Sequence, residues 1–492
     1  MRSSRLPFES TELDKFLVEI RESSPFNEIN ASPFFHLVKP TEENLLKYKL
    51  RFPRSKSLLV IEYLKVLPLI FIRSLFSLIL SVFSLLEFRP KKAKSSGKSE
   101  YLFLSHFTYA QDPRKEDIFY GENLDFKESY TFYLNHTRLL SPQIVKRFNY
   151  VNKRKITVNT KFLSPFSMIK LHTTQFRISW WLFTKSLGDN SLGIEKRRIL
   201  TRAASFQHGR STMANLVLRS RLSDTILRVK PKILVLTIEG HAHEKMVVDV
   251  SRSLIKDIKI IGYQHAPIVP GQLNLFRIVS NFHSNDYFLT TGEITKSLAL
   301  AHGPNCRVDI LGSVKAKQFE YQQKDSSKVQ VLVSPEGTKE SLTQFISLIN
   351  EIAPALPNVR FVLRYHPALG RAALRMIKIS LSPMNNVATS SSSLNEDMRQ
   401  SHLVLFRSSA IGIESMSYGA LPMHINQEGH GALNPLVHCG VETTNFQLTS
   451  EIVRFIEKFD LRLSQAESFQ RESYEIFNRY FSKLRKITSA ID

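Results

Sequence analysis

Two carboxylates and two imidazoles fall within eight positions in Thr237-Ile238-Glu239-Gly240-His241-Ala242-His243-Glu244, directly after the apolar run Ile233-Leu234-Val235-Leu236. A carboxylate at the end of a strand, partly withdrawn from water, can take a proton from a substrate hydroxyl. The plain structural alternative is a polar loop capping a helix over residues 245–255. His241 and His243 lack the i, i+4 spacing of a helical metal pair, and no cysteine or aspartate cluster lies nearby, so no metal is expected. A second imidazole stands just past the next apolar run: residues 258–263 lead into Gln264-His265-Ala266-Pro267. Glu239 and His265 thus become candidates for one rim, with His241 as a further member.

A phosphate-binding chemistry is suggested further along the chain. Residues 401–425, SHLVLFRSSAIGIESMSYGALPMHI, read as strand, turn, helix and strand, with Ser408-Ser409 where the helix should start. Serines there cap a helix and leave backbone N–H groups facing whatever lies beyond its end. Glu414 follows within two turns, and Gly419-Ala420-Leu421-Pro422 stops the helix. One unit upstream, residues 359–364 form a strand with a basic end, Arg364, running into Tyr365-His366-Pro367. Proline forces the residue before it towards extended geometry, which keeps His366 at the strand's carboxyl end. In an open α/β sheet that edge is where ligands bind. Pro335-Glu336-Gly337-Thr338 is a turn after another apolar run, so Glu336 is a candidate on the same edge.

These stretches need parallel sheets to position them. Apolar runs alternate with helical patterns, and a chain of 492 residues exceeds what one core usually holds. The expected fold is α/β, with two Rossmann-like domains facing a central cleft and a helical extension before them. Residues 1–99 form the extension and a basic linker, 100–325 the first domain, and 326–492 the second with its terminal helices. Helices are expected around residues 130–148 and 162–187, with a long loop over 111–128.

The combination of a basic strand ending in His366-Pro367, a Ser408-Ser409 turn and a helix with Glu414 that ends in Gly-x-x-Pro resembles glycosyltransferases of the GT-B type. The bacterial surface carbohydrate biosynthesis proteins are the nearest pattern, related to capsule sugar transferases and bacterial sialyltransferases; some carry a similar Tyr-Gln-His step. In the sialyltransferases an acidic-acidic-Gly motif supplies the base, and His-Pro and Ser-Ser motifs hold the CMP phosphate. Here Ile238-Glu239-Gly240 keeps one acid of that motif. The resemblance implies Glu239 as base and His265 as an orienting or charge-stabilising group. His366, Ser408 and Ser409 would meet phosphate, and Glu414 the ribose or base. It implies a nucleotide-sugar substrate, cytidine-linked first, and an acceptor that is a saccharide or lipid-linked saccharide of O-antigen, lipopolysaccharide or capsule type. No Asp-x-Asp occurs, which agrees with a site free of metal and cofactor. Retaining enzymes carry a second Glu where this chain has Phe406, so inversion is expected. A CDP-polyol-type phosphate transferase and a non-catalytic scaffold of the same fold remain alternatives.

Charge and hydropathy point to a surface. The formal net charge is +23, and about half of the excess falls between residues 101 and 230. An anionic membrane or acidic acceptor suits that balance; zinc-finger spacing and RNA-recognition aromatics are missing, so nucleic acid is not expected. Residues 66–86, VLPLIFIRSLFSLILSVFSLL, are long enough to cross a bilayer but contain Arg73 and a serine stripe, and are basic on both flanks. That pattern fits a helix lying in an anionic leaflet better than a crossing one, with a buried helix as the third reading. Two cysteines, Cys306 and Cys439, are too few for a disulfide framework, and no apolar run follows the first residues as in a secretory signal. The expected location is cytoplasmic, peripheral or monotopic at the inner face of the plasma membrane.

Overall fold

A computed structural model of the protein describes residues 10–36, 98–107, 117–124, 129–135, 155–159, 163–269, 272–316, 328–425, 434–439, 445–446, 448–460 and 466–491, with isolated positions within 60–82 and residues 318 and 324. The chain divides into two compact units. The first holds residues 1–265, 271–289 and 303–307; the second holds 266–270, 290–302 and 308–492. Each is built on a parallel sheet, so the fold is α/β with two Rossmann-like units, the GT-B-like class expected from the sequence.

Among the described residues seven strands form the first sheet: β1 (Tyr101–Phe107), β2 (Ser129–Asn135), β3 (Lys155–Val158), β4 (Ile233–Thr237), β5 (Lys259–Tyr263), β6 (Tyr287–Thr290) and β7 (Arg307–Ile310). Their spatial order is β3-β2-β1-β4-β5-β6-β7. Helices pack on both faces, so the central strands carry apolar side chains on both: all five residues of β4 are buried. The order reverses between β1 and β4, whose register pairs Leu104 with Leu236. At such a reversal the two loops leave in opposite directions and open a crevice at the strands' carboxyl ends.

Among the described residues six strands form the second sheet: β8 (Gln330–Val333), β9 (Arg360–Leu363), β10 (Val387–Thr389), β11 (Leu403–Phe406), β12 (Leu421–Ile425) and β13 (Asn445–Phe446), in the order β10-β9-β8-β11-β12-β13. Here the reversal lies between β8 and β11, paired Val333 to Leu405. The core beneath includes Val331, Phe361, Leu405 and Met423, closed by the helices Lys339–Ile352 and Thr449–Asp460 through Phe345, Ile349 and Ile456.

Two local expectations are corrected. The helix expected around residues 130–148 is, over its described part, the strand β2; Tyr130-Thr131-Phe132-Tyr133 is β-branched and aromatic and fills a place beside β1. The helix expected to start at Ser408-Ser409 starts at Ile411 and runs only to Glu414, followed by a 3-10 turn over Ser415–Tyr418. Of the long loop expected over 111–128, residues 117–124 are described, holding a tight Asp117–Gly121 bridge. The helix Pro165–Gly188, capped by Ser164, lies where the sequence places it.

Residues 66–86 lie largely outside the described residues. The described ones, Pro68, Ile72, Ser74, Leu75, Leu78, Ile79, Ser81 and Val82, are helical. Among the described residues no helix is long and apolar enough to cross a membrane.

Candidate functional site

In the first unit the chemistry gathers at the β1/β4 reversal. Glu239 follows β4 by two residues, and His265 follows β5 by two. Because β4 and β5 are adjacent and in register from Ile233–Lys259 to Thr237–Tyr263, both side chains reach the same edge. His265 Nε2 lies 2.7 Å from Glu239 Oε1, and His241 Nε2 lies 3.2 Å from Oε2. His106, near the end of β1, shares a 2.8 Å hydrogen bond with Thr237 Oγ1. Its ring meets that of His243 edge-on at 5.9 Å, and His243 stacks on His241 at 5.4 Å. Two imidazoles therefore bond one carboxylate, and two more stand beside them.

The scaffold beneath this cluster is over-determined. Glu244 is buried and turns its carboxylate back to accept the backbone N–H groups of Glu239 at 3.0 Å, Gly240 at 2.8 Å and His241 at 2.9 Å. It thereby caps the helix Ala242–Leu254 as the third residue of a capping box. Gln272 and Asn274 donate from the other side, to the carbonyls of Glu239 at 2.9 Å and Gly240 at 2.9 Å. Gly240 has φ of +96°, and a Cβ there would lie 2.3 Å from Asn274 Nδ2, so only glycine fits this turn. Asp117 accepts the N–H groups of Phe119 and Tyr120 at 2.9 and 3.0 Å. That fixes the Phe119 ring edge-on against His265, 4.5 Å between centroids.

The electrostatics follow from these contacts. Burial alone would raise the Glu239 carboxyl, but the hydrogen bonds from His241 and His265 outweigh it and hold the group well below the usual carboxylate range. The bond to Glu239 in turn raises His241 above an ordinary imidazole, against its burial. Burial pushes Glu244 up to about 7, while the charge of His241 and the backbone N–H groups pull it down. His265 Nδ1 is buried and meets no hydrogen-bond partner among the described residues. With Nε2 committed to Glu239, Nδ1 is the ring atom left for a ligand or an ordered water.

In the second unit the corresponding cluster sits at the β8/β11 reversal. Glu336, in the turn after β8, accepts from Arg407 Nε at 3.1 Å and from both the N–H and the hydroxyl of Ser408 at 2.8 Å. Ser341, at the start of the following helix, also donates to it. Burial would raise Glu336, but Ser341, the Arg407 guanidinium and Ser408 hold it below its usual range. His366, after β9, lies against Gly337: a Cβ on that glycine would come within 2.9 Å of its Nδ1.

The sequence-selected residues thus fall into two local groups. Glu239, His241 and His265 are brought together in the first unit; Glu336, His366 and Ser408 lie on one edge of the second sheet. Ser408 does not cap a helix, because its hydroxyl is held by Glu336. Ser409 Oγ accepts the N–H of Ile411 at 3.3 Å, two residues on. Glu414 pairs with Lys315 at 2.6 Å. Arg364 reaches Asp397 at 2.6 Å and Ser390 Oγ at 3.0 Å, tying the end of β9 to the residue after β10 and to the helix Leu394–Gln400. Sequence reasoning did not select His106 as part of the cluster, nor Phe119, Asn274, Arg407 and Lys315. His106 was legible as a histidine near a strand end; the others have no local signal, since the site residues they meet are 34 or more positions away.

No known protein family matches the sequence, and a search of curated proteins finds no match. Among solved structures the chain is similar to the UDP-GlcNAc 2-epimerase from Neisseria meningitidis bound to UDP-GlcNAc, with 14% identity over 77% of this chain and 97% of that one, TM-score 0.46. It is similar to S. aureus MnaA in complex with UDP, with 12% identity, 78% and 93% coverage and TM-score 0.43. The pneumococcal O-GlcNAc transferase GtfA, solved with UDP and GlcNAc, follows with 11% identity, 54% and 56% coverage and TM-score 0.36. Likeness at this level assigns neither a residue role nor an activity.

Proposed function

We propose that the protein is a glycosyltransferase that moves a sugar from a nucleotide-activated donor to a saccharide or lipid-linked saccharide acceptor in surface polysaccharide assembly, acting at the inner face of the plasma membrane. The observation that carries this reading is the 2.7 Å Glu239–His265 pair at the carboxyl edge of β4 and β5, with His265 Nδ1 buried and without a hydrogen-bond partner among the described residues. Nδ1 is covered as the chain stands, so the acceptor must displace that cover; a hydroxyl admitted to Nδ1 loses its proton there as its oxygen bonds the anomeric carbon. The bond from that carbon to the nucleotide phosphate breaks, and the phosphate leaves with the electron pair. Glu239 stabilises the imidazolium that results. The division of labour differs from a lone carboxylate base: a carboxyl held so far below its usual range is a weak base, and it serves better by orienting and charging an imidazole.

The second unit supplies the nucleotide seat in this reading. His366, Ser408 and Arg407 are donors on one sheet edge, and Glu336 occupies Ser408 and Arg407 until a phosphate replaces it. Inversion and independence from metal are part of the proposal, on the strength of Phe406 and the missing Asp-x-Asp.

Thermal shift with CMP-, UDP-, GDP- and dTDP-sugars, UDP-GlcNAc among them, identifies the donor, and product mass identifies the group moved. His265→Ala and Glu239→Gln are expected to keep donor binding and lose transfer by about a hundredfold or more. Wild-type transfer in His265→Ala overturns the assignment; a polyol-phosphate mass increment replaces sugar transfer with phosphate transfer. Epimerised sugar without acceptor would replace the transferase reading altogether.

A further inference from the structure

Two helical segments of the first unit run along each other in opposite directions. Tyr63 stacks on Phe183 with centroids 4.1 Å apart, and its hydroxyl lies 2.8 Å from Ser179 Oγ. Ser74 Oγ lies 3.1 Å from His172 Nδ1. Leu78 packs in the cluster of Met168 and Leu171. As numbers rise from 63 to 78 on one segment, their partners fall from 183 to 168 on the helix Pro165–Gly188. These inward contacts explain the serine stripe: Ser74 and Ser81 face protein, and Ser81 is fully buried.

The outward faces are apolar and, among the described residues, uncovered. On the first segment Ile61, Leu64, Ile72, Leu75, Ile79 and Val82 are exposed, Ile72 by 61%. They recur at the three- and four-residue steps of one helical face. On the helix Pro165–Gly188, Phe166, Ile169, Phe176 and Trp180 form a second such stripe, with Phe166 80% and Trp180 51% exposed. A chain in water does not ordinarily leave two parallel rows of large apolar side chains bare.

We infer that this pair of helices is a docking face for an anionic lipid surface, lying flat with both stripes in the headgroup–acyl boundary. Charge selects that occupant. The helix Pro165–Gly188 carries Lys170, Arg177 and Lys185 and no acidic residue. Between residues 151 and 200 there are ten Lys and Arg, of which Arg197 is buried, against only Asp189 and Glu195. Basic side chains on a helix that carries an apolar stripe, with Trp180 in that stripe, match an anionic leaflet. A second copy of the chain would bring the same positive face against itself. Described residues of the 66–86 segment are anchored along one side to protein, which suits a flat helix rather than a crossing one. The inference does not rest on the transferase reading, since lipid binding needs no nucleotide, and the two can fail separately.

Trp180 and Trp181 are the only tryptophans in the chain, so the face reports on itself. The full chain is titrated with phosphatidylcholine vesicles with and without phosphatidylglycerol, followed by sedimentation and tryptophan emission. Binding with a blue shift is expected on the anionic vesicles, at least tenfold weaker on the neutral ones. Phe166→Ser with Ile169→Ser should weaken binding about tenfold or more. Lys170→Glu should weaken it on anionic vesicles alone. Ile379→Ser, an exposed apolar position in the second unit, should change nothing. All these positions are exposed, and an unchanged thermal midpoint confirms folding. Failure to bind anionic vesicles overturns the inference, as does unchanged binding in the Phe166→Ser, Ile169→Ser chain. A dimer in sedimentation velocity that these substitutions disperse, without vesicle binding, also overturns it in favour of self-association.

Discussion

Replacing Gly240 by alanine tests whether the turn that carries Glu239 is as tightly determined as its contacts indicate. At φ of +96° an alanine is strained, which costs about 1–2 kcal/mol. The new Cβ would stand 2.3 Å from Asn274 Nδ2 and 2.6 Å from the backbone N of Leu275. Asn274 can swing away, but it then gives up its 2.9 Å bond to the Gly240 carbonyl, about 1 kcal/mol. Leu275 N cannot move without its helix, and overpacking of this kind costs about 1–3 kcal/mol. The total is about 3–6 kcal/mol, a large share of a typical domain's stability. Gly303 provides the internal control. It also lies in the first unit with a positive φ, +58°, but a Cβ there meets nothing within 4 Å. Gly303→Ala should therefore cost only about 1 kcal/mol. Both tryptophans belong to the first unit, so urea unfolding followed by their fluorescence reads that unit. A difference of about 2–5 kcal/mol between the two variants is expected. If Gly240→Ala unfolds within about 1 kcal/mol of Gly303→Ala, the turn is looser than described and the placement of Glu239 loses its basis.

Three further outcomes follow from the two clusters. Glu239 is depressed below its unfolded value of 4.5, so its stabilisation is present above that pH and fades as pH falls; His241 is raised above 6.5, so its share is present below that pH and fades as pH rises through the raised value. The destabilisation caused by Glu239→Gln should therefore be largest between pH 4.5 and 6.5 and shrink on both sides; a pH-independent difference in thermal midpoint would count against the coupled pair. Gly337→Ala would push on His366 and should weaken donor binding about tenfold by calorimetry with little change in stability, whereas unchanged affinity would separate His366 from the nucleotide. Glu336→Gln removes the negative charge that holds Arg407 and Ser408, and nucleotide binding should tighten about tenfold; weaker binding would mean that Glu336 positions those donors rather than competing for them.

The α/β class, most strands and the positions of Glu239, His265 and His366 beyond strand ends were legible because apolar strand runs and the residues that stop them are local properties of the chain. His366 is placed by the proline after it, and Glu239 by the glycine after it. The strand β2 was misread as helix because its neighbours across the sheet, not its own periodicity, decide its conformation. The serine pair was misread for a related reason: Ser408 is drawn to Glu336, 72 positions away, and a local capping rule takes no account of such a competitor.

The amino-acid sequence alone fixed which groups could do chemistry and that they stand at the carboxyl ends of strands. Only the tertiary structure decided which strands are neighbours, and so that an imidazole from β5 meets the carboxylate after β4 while one from β1 joins at the reversal. It also decided protonation, because a carboxyl's affinity for protons depends on burial and on partners that arrive from elsewhere in the chain. The same holds for the helix Pro165–Gly188: its composition reads as an ordinary amphipathic helix, and packing alone determined which of its aromatic residues were left facing outward.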